Sequence, residues 1–116
     1  MRLMSFALTT EQVRNQTKTV TRRLGWKNAK PGDVVQPVVK SQGIPKGGKV
    51  ERIGGPIRFV SVTRVRLGDI STIDVHREGF PNLTQRQFVE MFKEHNGGLK
   101  DQVVTRIEFE YVEAID

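Results

Sequence analysis

Two residues three positions apart, Lys18 and Thr21, have side chains suited to acid–base and nucleophilic chemistry. A threonine hydroxyl becomes a nucleophile when a nearby base removes its proton. A lysine serves as that base when burial or neighbouring positive charge, here from Arg22 and Arg23, lowers its pKa. Residues three apart on a regular strand point to opposite faces, so convergence requires Lys18 to precede the strand or a bulge to intervene. The same spacing is also typical of an ordinary strand.

A candidate acid for this chemistry is Glu78, in the segment Arg77-Glu78-Gly79-Phe80-Pro81 just before a predicted helix. The glycine and the proline indicate a tight loop. A carboxyl group held there can protonate a leaving group or bind an amino group of a base. It can equally form an ion pair with Arg77. The candidate catalytic residues are therefore Lys18, Thr21 and Glu78.

Positive charge is concentrated in a window that runs from Gln12 to Gly32. This window contains six basic residues and no acidic residue, and its charge equals the formal net charge of +6 of the whole chain. Such a patch indicates an anionic partner such as RNA, although a solvated basic face gives the same pattern. Trp26 either stacks on a base or covers one end of the core. The predicted nucleic-acid-binding residues are Arg14, Arg22, Arg23, Trp26, Lys27 and Lys30.

Length and composition limit the class of protein. A chain of 116 residues is expected to form one domain with one modest core. With no cysteine and two histidines, disulfide scaffolds and cysteine nucleophiles are excluded, and neither a metal site nor a cofactor is predicted. The sequence shows no signal-peptide pattern and no apolar run near the roughly 20 residues of a membrane span. We therefore expect a cytoplasmic protein without a membrane partner, whose oligomeric state the sequence leaves open.

The first part of the chain predicts two strands around a short helix. The strands are expected at Leu3 to Leu8 and at Thr19 to Leu24, the second because it is rich in threonine and valine. Thr9 and Gln12 have the spacing of a capping box, so the helix is expected to start there and to run to about Gln16.

A turn, a further strand and a long loop follow. Lys30-Pro31-Gly32-Asp33 is typical of a turn, and it leads into a predicted strand at Val34 to Val39. Pro37 within that strand indicates an edge position or a bulge. The glycine-rich segment 41–56 is expected to be a flexible loop or a loose hairpin.

The second half predicts a long strand, a capped helix and a closing strand. The long strand is expected at Ile57 to Leu67, and Asp69 to Arg77 is expected to form short helical turns. Thr84 and Gln87 form a second capping-box pattern, and Thr105 to Tyr111 alternates polar and apolar residues as a strand does. The apolar stripe of the helix consists of Phe88, Met91, Phe92 and His95.

This order of elements indicates an α+β domain, a small curled sheet or barrel of about five to six strands with short helices at its ends. Four features in this order resemble the ASCH domain family, a branch of the PUA-like β-barrels. They are Lys18-x-x-Thr21-x-Arg23 after a helix, the turn at Lys30 to Asp33, Glu78-Gly79-Phe80 before the helix from Thr84, and the closing strand Val104 to Val112.

The family signature is written G-x-K-x-x-E-x-R, and the chain departs from it at two positions. Gln16 stands at the glycine position and Thr21 at the glutamate position, whereas Lys18 and Arg23 match. A K-x-x-T segment is similar to the N4-acetylcytidine amidohydrolase branch of the family. The resemblance to that branch implies Lys18 as base, Thr21 as nucleophile and Glu78 as proton donor.

The resemblance implies three functions for a cleft lined by these residues. The first is binding of RNA or of a modified nucleotide or nucleoside in the cleft, with Arg14, Arg22, Lys27 and Lys30 on phosphates and Arg22 outside the cleft. The second is hydrolysis, in which Thr21 attacks the acetyl carbonyl of an acylated cytidine. The third is ribonuclease activity, in which Lys18 and Arg23 stabilise a pentacovalent phosphate. The second requires Lys18 and Thr21 to lie within hydrogen-bond reach of each other in one pocket.

Overall fold

Five strands form one mixed sheet in the computed structural model, which describes residues 1–98 and 102–112. They are β1 (Arg2–Ser5), β2 (Val20–Arg23), β3 (Val34–Val38), β4 (Ile57–Arg66) and β5 (Val103–Tyr111). Their order across the sheet is β1-β3-β4-β5-β2, with β1 parallel to β3 and the other neighbours antiparallel. The predicted α+β class and strand number are confirmed.

The sheet curls enough for one side chain to join its two edge strands. Strands β1 and β2 lie at opposite ends of the strand order, yet Nη2 of Arg23 in β2 donates a 2.6 Å hydrogen bond to the carbonyl oxygen of Ser5 in β1. The register of β4 with β5 shifts between Phe59 and Ser61. Such a bulge increases the local twist of a sheet. The curl gives the sheet the barrel-like shape predicted from the sequence.

Within the described ranges there are three α-helices, α1 (Thr10–Arg14), α2 (Thr72–Arg77) and α3 (Gln85–Asn96). The capping box predicted for α3 is confirmed, because the Thr84 hydroxyl accepts from the Gln87 amide and the Gln87 side chain accepts from the Thr84 amide. Gly97, with φ of 72°, ends this helix. No helix of the described residues is long and apolar enough to cross a membrane.

The start and the end of α1 differ from the prediction. The predicted Thr9–Gln12 capping box is wrong, because the Thr9 side chain makes no capping hydrogen bond and the Thr10 hydroxyl donates to the Phe6 carbonyl instead. The helix ends at Arg14, two residues early. Gln16 has a φ of 64°, a left-handed conformation that cannot continue a right-handed helix.

Strand β3 lies inside the sheet, between β1 and β4, so the edge position indicated by Pro37 is wrong. Regular pairing of β3 with β4 is confined to Val34 and Val35. Beyond it, the Ile53 amide donates to the Pro37 carbonyl at 3.0 Å, and Ile53 is buried. The C-terminal part of segment 41–56 therefore pairs as one arm of a hairpin. Flexibility of its remainder stays a prediction.

Two hydrophobic clusters organise the described part of the chain. The sheet cluster consists of Met4, Phe6, Val13, Val35, Ile53, Ile57, Phe59, Ile107 and Phe109. The helix cluster consists of Leu67, Ile70, Val75, Phe88, Val89, Phe92 and Val104. Full burial of side chains of this size contributes about 1.5–3 kcal/mol each. The predicted stripe of α3 therefore belongs to the helix cluster through Phe88 and Phe92, and Met91 packs against that cluster.

Candidate active site

A cavity of about 300 Å³ lies between the sheet and α3. This main cavity has an apolar wall, which includes Phe6, Phe80, Phe88, Met91 and Phe92. Its polar lining includes Lys18, Thr21, Arg22, Arg23 and Glu78. Its volume is at the low end of the range for ligand-binding cavities. Mostly apolar walls with a few convergent polar groups are typical of a small-molecule site.

Lys18 and Thr21 line the same cavity because Lys18 lies before the strand. Strand β2 begins at Val20, so the alternation of a regular strand does not apply to Lys18. The segment is held in place by the Thr19 amide, which donates to the Arg77 carbonyl at 2.8 Å. The Tyr111 hydroxyl donates to the Lys18 carbonyl at 2.5 Å. Lys18 thus precedes the strand, and its side chain and that of Thr21 line the same cavity.

The ammonium group of Lys18 is buried and contacts Glu78 twice. Its Nζ atom donates to the Glu78 carbonyl at 2.6 Å and to Oε1 of the Glu78 carboxylate at 2.9 Å. Burial lowers the pKa of Lys18, and the charges of Arg23 and Arg22 act in the same direction, while Glu78 opposes them. These are the conditions under which a lysine can accept a proton.

Thr21 presents a hydroxyl with its hydrogen available. Its Oγ1 atom accepts a hydrogen bond of 3.0 Å from Nε of Arg23, so the hydroxyl hydrogen can be donated elsewhere. In the described ranges no hydrogen bond joins the Lys18 ammonium to this hydroxyl. Burial lowers the pKa of Arg23 to about 10, and the side chain is therefore still cationic at neutral pH. A cation beside Oγ1 stabilises negative charge that develops there.

Arg22 is buried, and the prediction that it lies outside the cleft on phosphates is wrong. It is 7% exposed, and its guanidinium donates to the Asp74 carboxylate at 2.7 Å and to Oε2 of Glu78 at 3.2 Å. Glu78 therefore accepts hydrogen bonds from both Lys18 and Arg22. Breaking such a buried pair by removing one partner typically costs about 3–5 kcal/mol.

Asp74 explains how two arginines can lie side by side. Arg22 in β2 and Arg106 in β5 are direct register partners, and like charges in that position repel. The Asp74 carboxylate accepts from both guanidinium groups at 2.7 Å. Hydrogen bonds from Arg106 and then from Arg22 lower the pKa of Asp74 to about 2. Asp74 and Arg106 were not predicted as site residues, because the pairing of β2 with β5 is not visible in the sequence.

The fold has counterparts among known structures, although no family model and no curated protein sequence matches the chain significantly. The crystal structure of protein EF3133 from Enterococcus faecalis V583, described by the family model DUF984, has a TM-score of 0.63 at 16% identity. The match covers 97% of this chain and 76% of that chain. The crystal structure of an ASCH domain from Lactobacillus crispatus JV V101 has a TM-score of 0.63 at 12% identity, covering 95% and 78%. The chain has an ASCH-like fold.

The ASCH-like fold confirms the resemblance drawn from the motifs at the level of the fold. At 12% and 16% identity, likeness to a structure establishes the fold alone. The amidohydrolase branch and the roles of Lys18, Thr21 and Glu78 therefore stay predictions. In the part of the ASCH-like domain that the structure describes, no group of three or more metal-ligating side chains is present.

The remaining predicted nucleic-acid-binding residues lie outside the main cavity. Arg14, Lys27 and Lys30 are exposed, and Arg14 forms ion pairs with Glu11 and with Glu51. Binding of RNA by these three side chains stays a prediction.

Trp26 packs against the sheet cluster of the ASCH-like domain. Its ring makes an edge contact with Phe59, with 6.1 Å between ring centroids. The guanidinium of Arg2 lies 3.8 Å from its ring centroid. The arrangement favours the interpretation that Trp26 covers one end of the core, since a base stacked on the covered face would displace Arg2.

Proposed function

We propose that the main cavity binds the base of one modified nucleoside or nucleotide and hydrolyses an N-acyl group on that base. The observation that carries the proposal is that Lys18 and Thr21 line one small cavity together with Glu78, which lies 60 residues from Lys18 along the chain. All three are 3% exposed. A buried base, a hydroxyl and a carboxyl group are the groups that amide hydrolysis by a covalent route requires. The resemblance stated above makes N4-acetylcytidine the first substrate to test.

Transfer of one proton from the Lys18 ammonium to the Glu78 carboxylate, along their 2.9 Å hydrogen bond, would provide both a base and an acid. With that proton on Glu78, neutral Lys18 accepts the proton of Thr21 as Oγ1 attacks the acyl carbon. Glu78 then protonates the exocyclic nitrogen as the carbon–nitrogen bond breaks, leaving an acyl-threonine ester. In the second half, Glu78 accepts a proton from the attacking water and Lys18 returns its proton to Oγ1. The acid is released and both residues regain their starting states.

The walls of the cavity support a base as the bound group. Phe80, Phe88 and Met91 give it apolar surfaces suited to the faces of a planar ring. Glu78 gives it an acceptor for an amino group. A phosphate in the same place would face the Glu78 carboxylate, and the Lys18 and Arg22 cations are already paired with it. The geometry therefore favours amide hydrolysis over ribonuclease activity.

A second candidate is binding of RNA or of a modified nucleotide without hydrolysis. The net charge of +6 favours it, together with the exposure of Arg14, Lys27 and Lys30. Charge attraction to phosphates weakens steeply as salt is added. An RNA binder should therefore lose affinity between 50 and 200 mM salt, whereas hydrolysis of an uncharged nucleoside should hardly respond.

The test is incubation of the protein with N4-acetylcytidine, with release of cytidine followed by chromatography. Thr21→Val and Lys18→Met should each lower kcat/KM by at least ~100-fold, because each removes a group that handles a proton or forms a bond. Thr63→Val and Lys49→Met serve as matched controls, since both residues are exposed. These two variants should stay within about twofold of the wild type.

Circular dichroism separates loss of chemistry from loss of fold. Lys18→Met leaves the buried Glu78 with one partner fewer, so Thr21→Val, which changes no charge, is the decisive variant. Full activity of folded Thr21→Val would refute the mechanism. Binding of N4-acetylcytidine by the wild type without turnover would support the second candidate. Cleavage of single-stranded RNA that depends on Lys18 would instead support the ribonuclease.

A further inference from the structure

A second cavity of about 690 Å³ adjoins the main cavity. The lining of this basic cavity includes Arg2, Ser5, Arg23, Trp26, Lys40 and Asn96. Three of these residues are cationic, and none of those that the structure describes there is acidic. The main cavity differs, because Lys18 and Arg22 are paired there with carboxylates. A concave surface with charge of one sign attracts an anion.

The cations of the basic cavity are available to a ligand. The guanidinium of Arg2 lies over the face of Trp26, 3.8 Å from the ring centroid, and none of its donors forms a hydrogen bond to another of the described residues. Lys40 is exposed and forms no ion pair within the described ranges. Arg23 uses Nε and Nη2 on Thr21 and Ser5, and its Nη1 has no partner among the described residues.

Arg23 connects the two cavities. It lines both of them, as do Ser5 and Asn96. The guanidinium therefore lies beside the Thr21 hydroxyl and at the border of the basic cavity at once. A ligand that fills the main cavity with an uncharged planar group can extend past Arg23 and place an anionic group between Arg2 and Lys40.

We infer that the basic cavity is a phosphate subsite, and that the ligand of the main cavity is a nucleotide rather than a free nucleoside. The inference rests on the proposed function for the placement of the base. A phosphate bound by guanidinium and ammonium groups forms charge-assisted hydrogen bonds. Such a phosphate belongs either to a mononucleotide or to an RNA strand, and the two sources share this chemistry.

The test compares dissociation constants measured by calorimetry for cytidine, its 3′- and 5′-monophosphates, and the N4-acetylated forms of all three. At 50 mM salt at least one monophosphate should bind ~10-fold or more tightly than its nucleoside. This ratio should shrink as salt is raised. Arg2→Gln/Lys40→Gln should bring the ratio close to one without changing the affinity for the nucleoside. The control Lys49→Gln/Arg86→Gln removes the same charge from exposed positions and should keep the ratio.

The outcomes separate this inference from the proposed function. Turnover of N4-acetylcytidine with no preference for either monophosphate would overturn the phosphate subsite alone. So would a preference that survives Arg2→Gln/Lys40→Gln. A preference that depends on Arg2 and Lys40, without turnover of any acylated ligand, would support the subsite and refute hydrolysis. A protein that binds none of these ligands refutes both. A trinucleotide that binds tenfold better than the monophosphates identifies an RNA strand as the source.

Discussion

Asp74→Asn tests whether one carboxylate holds the two arginines of the site together. Asp74 accepts hydrogen bonds from Arg22 and Arg106, and these lower its pKa from 3.8 to about 2. A carboxyl group whose pKa is lower in the folded than in the unfolded protein stabilises the fold at pH values above the unfolded pKa. That contribution is lost as pH falls through the folded pKa. The contribution of Asp74 to the free energy of unfolding of the wild type is therefore fully present above about pH 4 and is lost towards pH 2.

The magnitude follows from the pKa of Asp74. Since each tenfold change in an acid constant corresponds to about 1.4 kcal/mol, a pKa lowered from 3.8 to about 2 is worth up to about 2.5 kcal/mol. We reduce this to about 1–2 kcal/mol, because the Arg106 side chain is partly exposed and solvent screens its charge. Asparagine keeps the shape of the side chain and removes the charge. The Asn variant should therefore lose about 1–2 kcal/mol at pH 7.

The assay is urea unfolding followed by Trp26 fluorescence between pH 7 and pH 2.5. The difference in the free energy of unfolding between wild type and Asp74→Asn should be largest at pH 7 and should shrink below pH 4. Titration of all other groups cancels in that difference to first order. Asp69→Asn is the matched control, because Asp69 is exposed and only three residues from the helix start at Thr72. A difference that is constant from pH 7 to pH 2.5 would refute the reasoning.

Three further substitutions test the backbone around the site. Gln16→Gly should raise the free energy of unfolding by about 0.5–1 kcal/mol, because glycine adopts the φ of 64° without strain; an unchanged urea midpoint would contradict this. Tyr111→Phe should cost about 1 kcal/mol in the same assay and should raise KM or lower kcat, because the bond to the Lys18 carbonyl is lost. Gly79→Ala should lower the thermal midpoint clearly, since its φ is 105° and a Cβ there would lie 2.9 Å from the Gln12 side chain; a wild-type midpoint would show that the loop relaxes.

Sequence patterns predicted correctly those helices and strands that depend on interactions between residues close together in the chain. The α3 helix was predicted from its Thr84 capping box and its apolar stripe, and both are interactions between residues three or four apart. The strand β5 was predicted from its alternation. Gln16 shows where prediction from local patterns fails. Its residue type disfavours the left-handed conformation, and the surrounding structure imposes it.

The composition of the site depends on contacts that are distant in sequence. Lys18, Thr21 and Glu78 were candidates because their side chains suit a base, a nucleophile and an acid, and their catalytic roles stay predictions. The burial of Arg22 was not predictable, since it follows from Asp74, which is 52 residues away along the chain. The basic window therefore suggested an exposed patch, whereas Lys18 and Arg22 are buried and paired with carboxylates from elsewhere in the chain.

The division of the core into a sheet cluster and a helix cluster has a consequence for how such a domain can diversify. Phe6 brings the sheet cluster to the main cavity, and Phe88 and Phe92 bring the helix cluster to it. Substitutions on α3 can reshape the apolar wall while Lys18 and Thr21 keep their surroundings on the sheet side. Descendants of one ancestral domain can thus keep these polar side chains and acquire a differently shaped cavity through changes in a single helix.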